Sequence, residues 1–572
     1  MKINPILAID SYKLAHITMY PENIIGTYLN LTPRSIRHFK KLIPAQFKYD
    51  NKIVAVGMQM AIQDIVDTFT DEFFSKPLEQ TLEIYTDTIR PFIGFDEDSE
   101  TKIVAEITKL HNLGYLPLEI KALPEGSLVP VQTPVMTIKF SENGFAWLQG
   151  YLETYISQNT WKTITIATVA RLYRKILEFW AEKTCDNNDH ITWQGHCFAD
   201  RGMSGTEDAT KMGIAHATQF EGSDSVHAAY AAKHIYGFKS PLFAASVPAT
   251  EHQIMQLGIN ESSERDAILR LIKQYPTGIM SVVCDTEDYW NTLTNILPSL
   301  KEEILARTPN SLGLAKFVVR PDSGDPVDVI CGTKILDEIH DEDALYIYAN
   351  SLAQTSKTSI YKYENNVYEI NGKHLKEILD NYGSDDFDFS MEGLCEFRNG
   401  YIANEIEDPR TGAPEEKGSI EILWDTFGGT INSKGYKVLN PRVGLIYGDS
   451  ITPERAYEIC KRLEAKGFAS SNVVLGIGSY AYNYHTRDTF GMAIKCTAAW
   501  DDKGNLIETQ KVVKTDSGKK SAKGLLHVSS DFVTTDSVTP EVEATGMLQT
   551  IYKDNKKTFE TDFEAIRARA RN

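Results

Sequence analysis

The chain has 572 residues, of which 42% are hydrophobic, 10% aromatic and 24% charged, so it can bury large cores and is neither disordered nor fibrous. Its 59 Lys and Arg residues against 78 Asp and Glu residues give a net charge of −19, which disfavours a general binder of nucleic acid or of anionic membranes. Any anionic ligand must therefore meet a local basic pocket.

The cysteines and the apolar runs point to a cytoplasmic protein. The seven cysteines are far apart and form no Cys-x-x-Cys pair, which argues against a disulfide framework and a zinc site. No stretch approaches the ~20 apolar residues of a membrane span, and the first apolar run is too short for a signal peptide. We expect no membrane and no nucleic-acid partner.

The two ends of the chain have mixed character. Residues 1–185 combine helical stretches such as 167–181 with strand-like stretches such as 127–138, and the tail from about residue 490 is strand-like and basic. These observations predict one discontinuous α+β domain built from residues 1–185 and 490–572.

Residues 186–489 have a different pattern, in which short apolar runs rich in β-branched residues alternate with helix-like stretches. Continuous apolar runs are typical of strands buried on both faces, and alternation with helices indicates a parallel sheet. Thr452-Pro453-Glu454 marks one helix start clearly. The sequence therefore predicts the α/β class, with an irregular βα barrel. The seven runs are 190–198, 217–220, 242–247, 278–284, 315–319, 443–447 and 472–475.

An insert at residues 331–418 interrupts this pattern of strands and helices. Two hairpin signals fall in it, over residues 360–370 and at Phe397-Arg-Asn-Gly-Tyr401, where Asn399-Gly400 suits a type I′ turn. We assign the insert no chemistry.

Reactive side chains follow the predicted strands, where an α/β barrel holds its active site. Arg320 and Asp322 stand two residues apart after one run and can clamp a phosphate or amide and a pair of sugar hydroxyls, or form a structural pair in a turn. Gly448-Asp449 follows another run in the same way.

A glycine loop follows the last run. Gly476-Ile-Gly478-Ser-Tyr-Ala481 matches the dinucleotide fingerprint, which would suggest NAD binding, but the segment from Tyr480 to Arg487 is too short and lacks the apolar stripe of the helix expected there. We favour a loop whose N–H groups hold a monophosphate.

Glu251-His252 is the sharpest chemical feature. A histidine at a predicted strand end, with Glu251 beside it and Asp285 at the next strand end, can have its tautomer and basicity fixed by a carboxylate. Such a histidine can act as a nucleophile or as a general acid or base.

A cluster of lysines in the tail supplies the local positive charge that an anionic ligand needs, although a solubilising loop has the same composition. There is no Walker loop, so any use of ATP does not depend on one. The lysines are Lys495, Lys511, Lys514, Lys519, Lys520 and Lys523.

Several of these segments together resemble the nicotinamide phosphoribosyltransferases, a family of type II phosphoribosyltransferases, over nearly the whole chain apart from the insert. They are residues 4–13, 126–130, 198–202, 222–224, 246–252, 281–285, 320–324, 448–449 and 486–488. The resemblance implies an irregular βα barrel with a second domain, and a homodimer whose two active sites are shared between subunits.

The resemblance also implies roles at the base and ribose. Nicotinamide would stack between Phe198 and Tyr12 of the other subunit, and Asp224 would accept from its carboxamide. Arg320 and Ser281 would belong to the substrate site, and Asp322 and Asp449 would hold ribose hydroxyls. The 5′-phosphate would lie on the backbone of Gly448, Gly478 and Ser479, although some family members carry a third glycine where this chain has Ser479.

Further implied roles concern phosphate. The pyrophosphate of phosphoribosyl pyrophosphate, carried with Mg²⁺, would meet Arg34, Arg201, Arg487, Lys495 and Lys514. ATP would serve as a co-substrate that phosphorylates His252. Which side chains bind the metal directly is left open.

Two alternatives remain. A nicotinate phosphoribosyltransferase is disfavoured because Asp224 would repel a carboxylate substrate. A non-catalytic sensor of nicotinamide or a phosphosugar is disfavoured because His252, Arg320, Asp322, Asp449 and Arg487 are all present.

Overall fold

The computed structural model describes residues 3–339, 342–363, 366–382, 388–389, 395–397, 400–401, 403–448, 450–511 and 522–572. The chain forms two compact units. Unit 1 comprises residues 1–248, 432–436 and 446–572, and unit 2 comprises residues 249–431 and 437–445. These limits differ from the boundaries expected near residues 185 and 490, which stay a prediction.

Unit 1 contains a seven-stranded antiparallel sheet that draws its strands from both ends of the chain. The N-terminal strand lies in the interior of the sheet, where Asn30 pairs with Lys495 and Leu29 pairs with Ile138. The sheet therefore joins the two chain ends in one element, with an α+β character. In order across the sheet, the strands are Leu506–Glu508, Ala493–Asp501, Ile24–Thr32, Met136–Phe140, Leu118–Ala122, Gln549–Lys553 and Lys556–Lys557.

Two further antiparallel strand pairs join Lys52–Ala55 to Ser127–Pro130 and Leu525–Val528 to Thr534–Val538. The 32-residue helix Glu153–Thr184 is buried along most of its length and includes the predicted 167–181 helix. The other α-helices of unit 1 are Lys13–Met19, Met58–Phe69, Leu78–Ile84, Arg90–Ile93, Glu97–Leu113, Leu148–Tyr151, Ile191–Gln194, Thr206–Ala217, Val226–Ile235, Pro453–Ala465, Ser479–Asn483, Pro540–Glu543 and Phe563–Arg571.

Three short parallel strands also belong to unit 1. Val473–Ile477 pairs with Gly195–Cys197, which pairs with Gly222–Ser223. The helix that begins at Pro453 has the predicted cap, because the Thr452 hydroxyl accepts from the N–H of Arg455.

Unit 2 carries its own parallel strands. Gly278–Val283 pairs with Ala315–Arg320, which pairs with Val443–Tyr447 up to Leu445, where unit 2 ends. Parallel strands alternating with helices confirm the predicted α/β class. The helices of unit 2 outside the insert are His252–Glu261, Glu264–Gln274, Tyr289–Asn291, Leu297–Ser299, Lys301–Leu305, Pro326–Cys331 and Ser419–Phe427.

The insert folds around a separate hydrophobic core that includes Leu345, Tyr361 and Ile370. Its sheet has the order Asp337–Ile339, Thr358–Tyr363, Asn366–Asn371 and Ala403–Ile406, and its helices include Glu342–Thr355 and Gly372–Tyr382. The predicted hairpin over residues 360–370 is confirmed by antiparallel pairing from Thr358 with Asn371 to Tyr363 with Asn366. In the second hairpin Phe397 pairs with Gly400, and the turn residue Asn399 lies outside the described residues.

Two of the seven predicted strands are wrong, and the run 190–198 is a strand only at Gly195–Cys197, after the helix Ile191–Gln194. Residues 217–220 form the end of the Thr206–Ala217 helix and the turn after it, and the strand begins two residues later at Gly222. Residues 242–247 contribute a single parallel bridge from Ala245 to Gly222. Both runs include buried apolar side chains, such as Phe220 and Phe243, and a short sequence run cannot separate such burial from strand formation. Over the described residues, no helix combines the length and apolar character that crossing a bilayer needs.

Candidate active site

His252 lies in a cluster of polar side chains in unit 2. It is the first residue of its helix, and Asp285 follows the Gly278–Val283 strand by two residues. The Nε2 atom of His252 is 3.3 Å from Oδ1 of Asp285, and its Nδ1 atom is 3.9 Å from Oδ2 of Asp322. The cluster therefore joins one imidazole, 41% exposed, to carboxylates from two strand ends.

Asp285 is the most firmly held member of this cluster. Its side chain is 4% exposed, and its Oδ2 accepts from the N–H of Asp322 at 3.0 Å and from the hydroxyl of Ser323 at 2.7 Å. Its Oδ1 is buried, hydrogen-bonds to none of the described residues and faces His252. A carboxylate fixed in this way can set the tautomer and orientation of an imidazole.

Glu251, the other carboxylate expected to act on His252, is exposed. It occupies the N-cap of the His252–Glu261 helix without a capping bond from its side chain. Among the described residues, the carboxylates within 4.0 Å of the imidazole are those of Asp285 and Asp322.

Arg320 and Asp322 form the pair that their spacing suggests. Nη2 of Arg320 is 3.4 Å from Oδ1 of Asp322, and the guanidinium is mostly buried. Because Asp322 also approaches His252, the pair belongs to the cluster rather than to an isolated turn. Ser281 is buried on the neighbouring strand, and its hydroxyl has no hydrogen-bond partner among the described residues.

A second group of predicted site residues lies in unit 1, around the strand Gly195–Cys197. The Nε2 atom of His196 is 3.0 Å from Oδ1 of Asp224, and the hydroxyl of Ser246 donates to the same oxygen at 2.5 Å. The rings of His196 and Phe198 are 4.7 Å apart between centroids. The aromatic ring and the carboxylate expected at the base are therefore linked through one histidine.

The glycine loop packs closely against neighbouring segments of unit 1. A Cβ atom on Gly476 would lie 2.5 Å from the carbonyl oxygen of Tyr447 and 2.6 Å from the Phe198 ring. A Cβ atom on Gly202 would overlap the side chain of Ser479. The helix that follows, Ser479–Asn483, has five residues, which is too short for the dinucleotide-binding alternative.

Hydrogen bonds join the loop that carries Arg201 to the glycine loop. The Nδ2 atom of Asn483 donates to the carbonyl of Gly202 at 3.0 Å, and Lys162 donates to Asn483 at 2.7 Å and to Asp208 at 2.5 Å. Arg201 itself is exposed on a short 3-10 turn, Asp200–Gly202.

Basic side chains gather on the antiparallel sheet of unit 1. Burial lowers the pKa of Lys495, and the positive charges of Arg34, Lys511 and Arg487 lower it further, against the opposite effect of Glu153. Arg34 is held by a bond from its Nε to the carbonyl of Gly491 at 2.9 Å. Arg34 and Lys495 also line a cavity of about 650 Å³. A bound anion would offset the positive charges that surround Lys495.

The remaining predicted residues are placed more simply. Tyr12 precedes the Lys13–Met19 helix and is 58% exposed, while Gly448 and Gly478 are buried at the ends of their strands. Asp449 and Lys514 lie outside the described residues, as do Lys519 and Lys520.

His196, Ser246 and Asn483 were not singled out from the sequence. His196 lies on the strand Gly195–Cys197, two residues before Phe198, so the alternation of side chains along a strand could have indicated it. Asn483 gives no such signal, because its contact to Gly202 spans 281 residues.

The described residues contain no group of three or more His, Cys, Asp and Glu side chains able to hold a metal ion. Mg²⁺ usually keeps few protein ligands and is shared with substrate phosphates, and Asp285 and Asp322 supply the kind of oxygen it prefers. The residues therefore fit a metal that arrives with a phosphorylated substrate.

Known proteins similar to this chain are named for nicotinate or for nicotinamide. Residues 193–557 match the model of the nicotinate phosphoribosyltransferase (NAPRTase) family. A nicotinamide phosphoribosyltransferase of Acinetobacter baylyi is 40% identical over 575 residues, covering 99% of this chain and 97% of that protein. One from Mycoplasma pneumoniae is 29% identical, covering 91% and 94%.

Among solved structures, nicotinate-nucleotide pyrophosphorylase of Pyrococcus furiosus superposes with a TM-score of 0.48 at 12% identity, covering 100% of this chain and 95% of that one. The sequence matches, and not this superposition, show which family the chain belongs to. Because the family model covers more than half of the chain and the Acinetobacter relative is similar over nearly all of it, the chain belongs to the nicotinate phosphoribosyltransferase family.

Proposed function

We propose that this protein joins nicotinamide to the phosphoribosyl group of phosphoribosyl pyrophosphate, forming nicotinamide mononucleotide and pyrophosphate in NAD salvage. Two relatives similar over most of their length carry the name of this activity. The observation that carries the choice of substrate is Asp224, a carboxylate tied through His196 to the ring of Phe198.

The reaction needs no nucleophile from the protein. The pyridine nitrogen of nicotinamide forms a bond to C1 of the ribose, the bond from C1 to the pyrophosphate oxygen breaks, and the electron pair leaves with pyrophosphate. Positive charge develops at C1 and negative charge on the leaving group. The protein must therefore orient the base, stabilise the ribose and neutralise the pyrophosphate.

The base-binding groups suit a flat amide. The ring of Phe198 offers one stacking face, and Tyr12 of the partner subunit would supply the other in a homodimer with shared sites. Asp224 can accept a hydrogen bond from the carboxamide N–H, whereas it would repel the carboxylate of nicotinate. This distinction favours nicotinamide over nicotinate within the same family.

The ribose and its phosphate would meet the strand ends. Arg320 would reach the base pocket, Asp322 and Asp449 would hold ribose hydroxyls, and Gly448, Gly478 and Ser479 would offer backbone N–H groups to the 5′-phosphate. Support for this part comes from the buried strand-end positions of Gly448 and Gly478 and from the Arg320–Asp322 pair.

The leaving group would meet the cations. Arg34, Arg201, Arg487, Lys495 and Lys514 would surround the pyrophosphate, and Mg²⁺ would neutralise its charge when bound with the substrate. Support comes from the lowered pKa of Lys495, because a bound anion would offset the neighbouring positive charges that contribute to it.

ATP would act at His252 rather than at the ribose. The proton on the imidazole nitrogen that faces Asp285 would be held by that carboxylate, which leaves the opposite nitrogen to attack the γ-phosphorus. A nitrogen–phosphorus bond forms, the bond to ADP breaks, and phosphohistidine results. Its negative charge beside substrate-bound Mg²⁺ would raise the affinity for phosphoribosyl pyrophosphate. We place this activity in the cytoplasm.

The test is an assay of the purified protein with nicotinamide, nicotinate and quinolinate, each with phosphoribosyl pyrophosphate and Mg²⁺, with and without ATP. We expect nicotinamide mononucleotide and pyrophosphate in equal amounts, with faster synthesis when ATP is present. Equal or faster turnover of nicotinate would show that the substrate assignment is wrong. Binding of nicotinamide without any turnover would support a sensor instead.

A further inference from the structure

Two side chains contact the same carboxylate oxygen of Asp224 as hydrogen-bond donors. His196 and Ser246 both contact Oδ1, so Oδ2 is the carboxylate oxygen that neither of them engages. The backbone N–H of Asp224 also bonds the carbonyl of Cys197 at 3.3 Å, which ties its loop to the strand that carries His196. His196 is 9% exposed, whereas the side chain of Asp224 is 43% exposed. A buried histidine thus supports an accessible carboxylate.

We infer that His196 is a specificity-determining positioning residue, which orients Asp224 toward the pyridine substituent and sets the net charge presented to that substituent. The inference deepens the proposed function and rests on it. His196 touches both elements of base recognition, because its ring also lies against Phe198.

The charge argument follows from hydrogen-bond roles. When Asp224 is ionised, His196 must carry a proton on Nε2 to donate across 3.0 Å. With a neutral imidazole the pair has a charge of −1, which favours an amide and repels a carboxylate. With an imidazolium the pair is neutral overall, so a carboxylate substituent loses most of its penalty.

Two titratable neighbours of His196 in unit 1 are neutral, and the carboxylate of a third, Asp200, has its own hydrogen-bond partners. His216, on the Thr206–Ala217 helix, is neutral, because burial lowers its pKa to about 3. Burial raises the pKa of the Cys197 thiol to about 12, so this neighbour is neutral as well. The Asp200 carboxylate accepts from Ser225 at 2.5 Å and lies 2.8 Å from Nε2 of His227.

His196→Gln is the decisive variant, because a glutamine amide can donate to Asp224 but cannot become charged. The measurement is kcat/KM for nicotinamide and for nicotinate between about pH 6 and 8.5, a range in which neither base titrates. In the wild type we expect the nicotinamide-to-nicotinate ratio to fall about tenfold as the pH is lowered, the size expected for one charge at a partly exposed site. In the variant the ratio stays high and independent of pH.

Two control variants separate this role from general effects. His227→Gln changes a comparable histidine–aspartate pair of the same unit that does not touch Asp224, and it should keep the wild-type pH trend. Ser246→Ala removes the other donor to Oδ1 without removing a titrating group, so it should lower the ratio at all pH values and keep the trend. Circular dichroism verifies folding of each variant.

The outcomes are distinct. A wild-type ratio that does not change with pH, or a His196→Gln protein that keeps the wild-type trend, overturns the inference while the proposed function stands. Absence of nicotinamide mononucleotide at every pH overturns the proposed function and the inference with it.

Discussion

At the scale of single residues, Asp224 is the group that should decide between an amide and an acid. Asp224→Ser removes both the acceptor for the carboxamide N–H and the charge that repels a carboxylate. We expect the nicotinamide-to-nicotinate ratio of kcat/KM to fall by about tenfold or more, the size expected for one charged hydrogen bond. Steady-state kinetics with both bases measure it, and an unchanged ratio would mean that Asp224 does not touch the base.

His252 should couple ATP to synthesis without taking part in glycosyl transfer. Its half-exposed ring beside the buried Asp285 suits phosphoryl acceptance. His252→Ala should therefore lose ATP hydrolysis and ATP stimulation, and should keep slow basal synthesis with a raised KM for phosphoribosyl pyrophosphate. The measurement is acid-labile, base-stable phosphate from γ-labelled ATP in wild type and variant.

Two results would remove His252 from this role. One is equal labelling of the two proteins, and the other is ATP stimulation that survives in the variant. His227→Ala is a matched control, since His227 is another partly exposed histidine beside a carboxylate, in unit 1. It should be labelled like the wild type.

At the scale of structural elements, the two loops proposed to bind phosphate approach each other closely at Gly202 and Ser479. Gly202 ends the short turn that carries Arg201, and any Cβ there would overlap Ser479. The bond from Asn483 to the Gly202 carbonyl holds the two loops at this distance. The spacing of these loops, rather than a long helix, therefore shapes the candidate phosphate site.

Gly202→Ala should separate these loops. Overpacking of this kind costs roughly 1–3 kcal/mol, so we expect KM for phosphoribosyl pyrophosphate to rise about tenfold while KM for nicotinamide changes less. The double variant Gly202→Ala with Ser479→Gly restores the space and should recover most of the affinity. No recovery in the double variant would show that the contact with Ser479 is not the cause.

At the scale of the whole molecule, burial explains which parts of the fold the sequence could predict. The runs at 278–284, 315–319 and 443–447 are apolar and β-branched and became strands, because parallel strands are buried on both faces. The run at 217–220 also contains buried apolar residues, Ala217 and Phe220, but it ends a helix. Short runs without periodicity cannot distinguish these cases.

The candidate site shows the same limit. His252, Asp285, Arg320 and Asp322 could be grouped from sequence, since strand ends meet at one edge of a parallel sheet. The sequence could not show that Asp285 rather than Glu251 lies beside His252, because this depends on the directions of the side chains. The contact of His196 with Asp224 could not be predicted either, because it spans 28 residues and requires the strands Gly195–Cys197 and Gly222–Ser223 to pair.

The proposed shared active site makes a prediction about the assembled protein. Tyr12 is highly exposed on unit 1, and family resemblance assigns it to the base site of the partner subunit, whereas Asp322 would serve the site of its own subunit. Tyr12→Ala and Asp322→Ala should each be inactive alone. In a mixed dimer, one site has both substitutions and the other has neither.

Random exchange of equal amounts gives half mixed dimers, each with one intact site, so we expect about one quarter of the wild-type specific activity to return. Differently tagged subunits, purified sequentially after exchange, identify the mixed dimers and allow their activity to be measured directly. Mixing Tyr12→Ala with a second inactive Tyr12 variant is the control, and it should restore nothing because every site lacks the ring. If tagged subunits exchange and the mixed dimers remain inactive, each site is complete within one subunit and Tyr12 acts elsewhere.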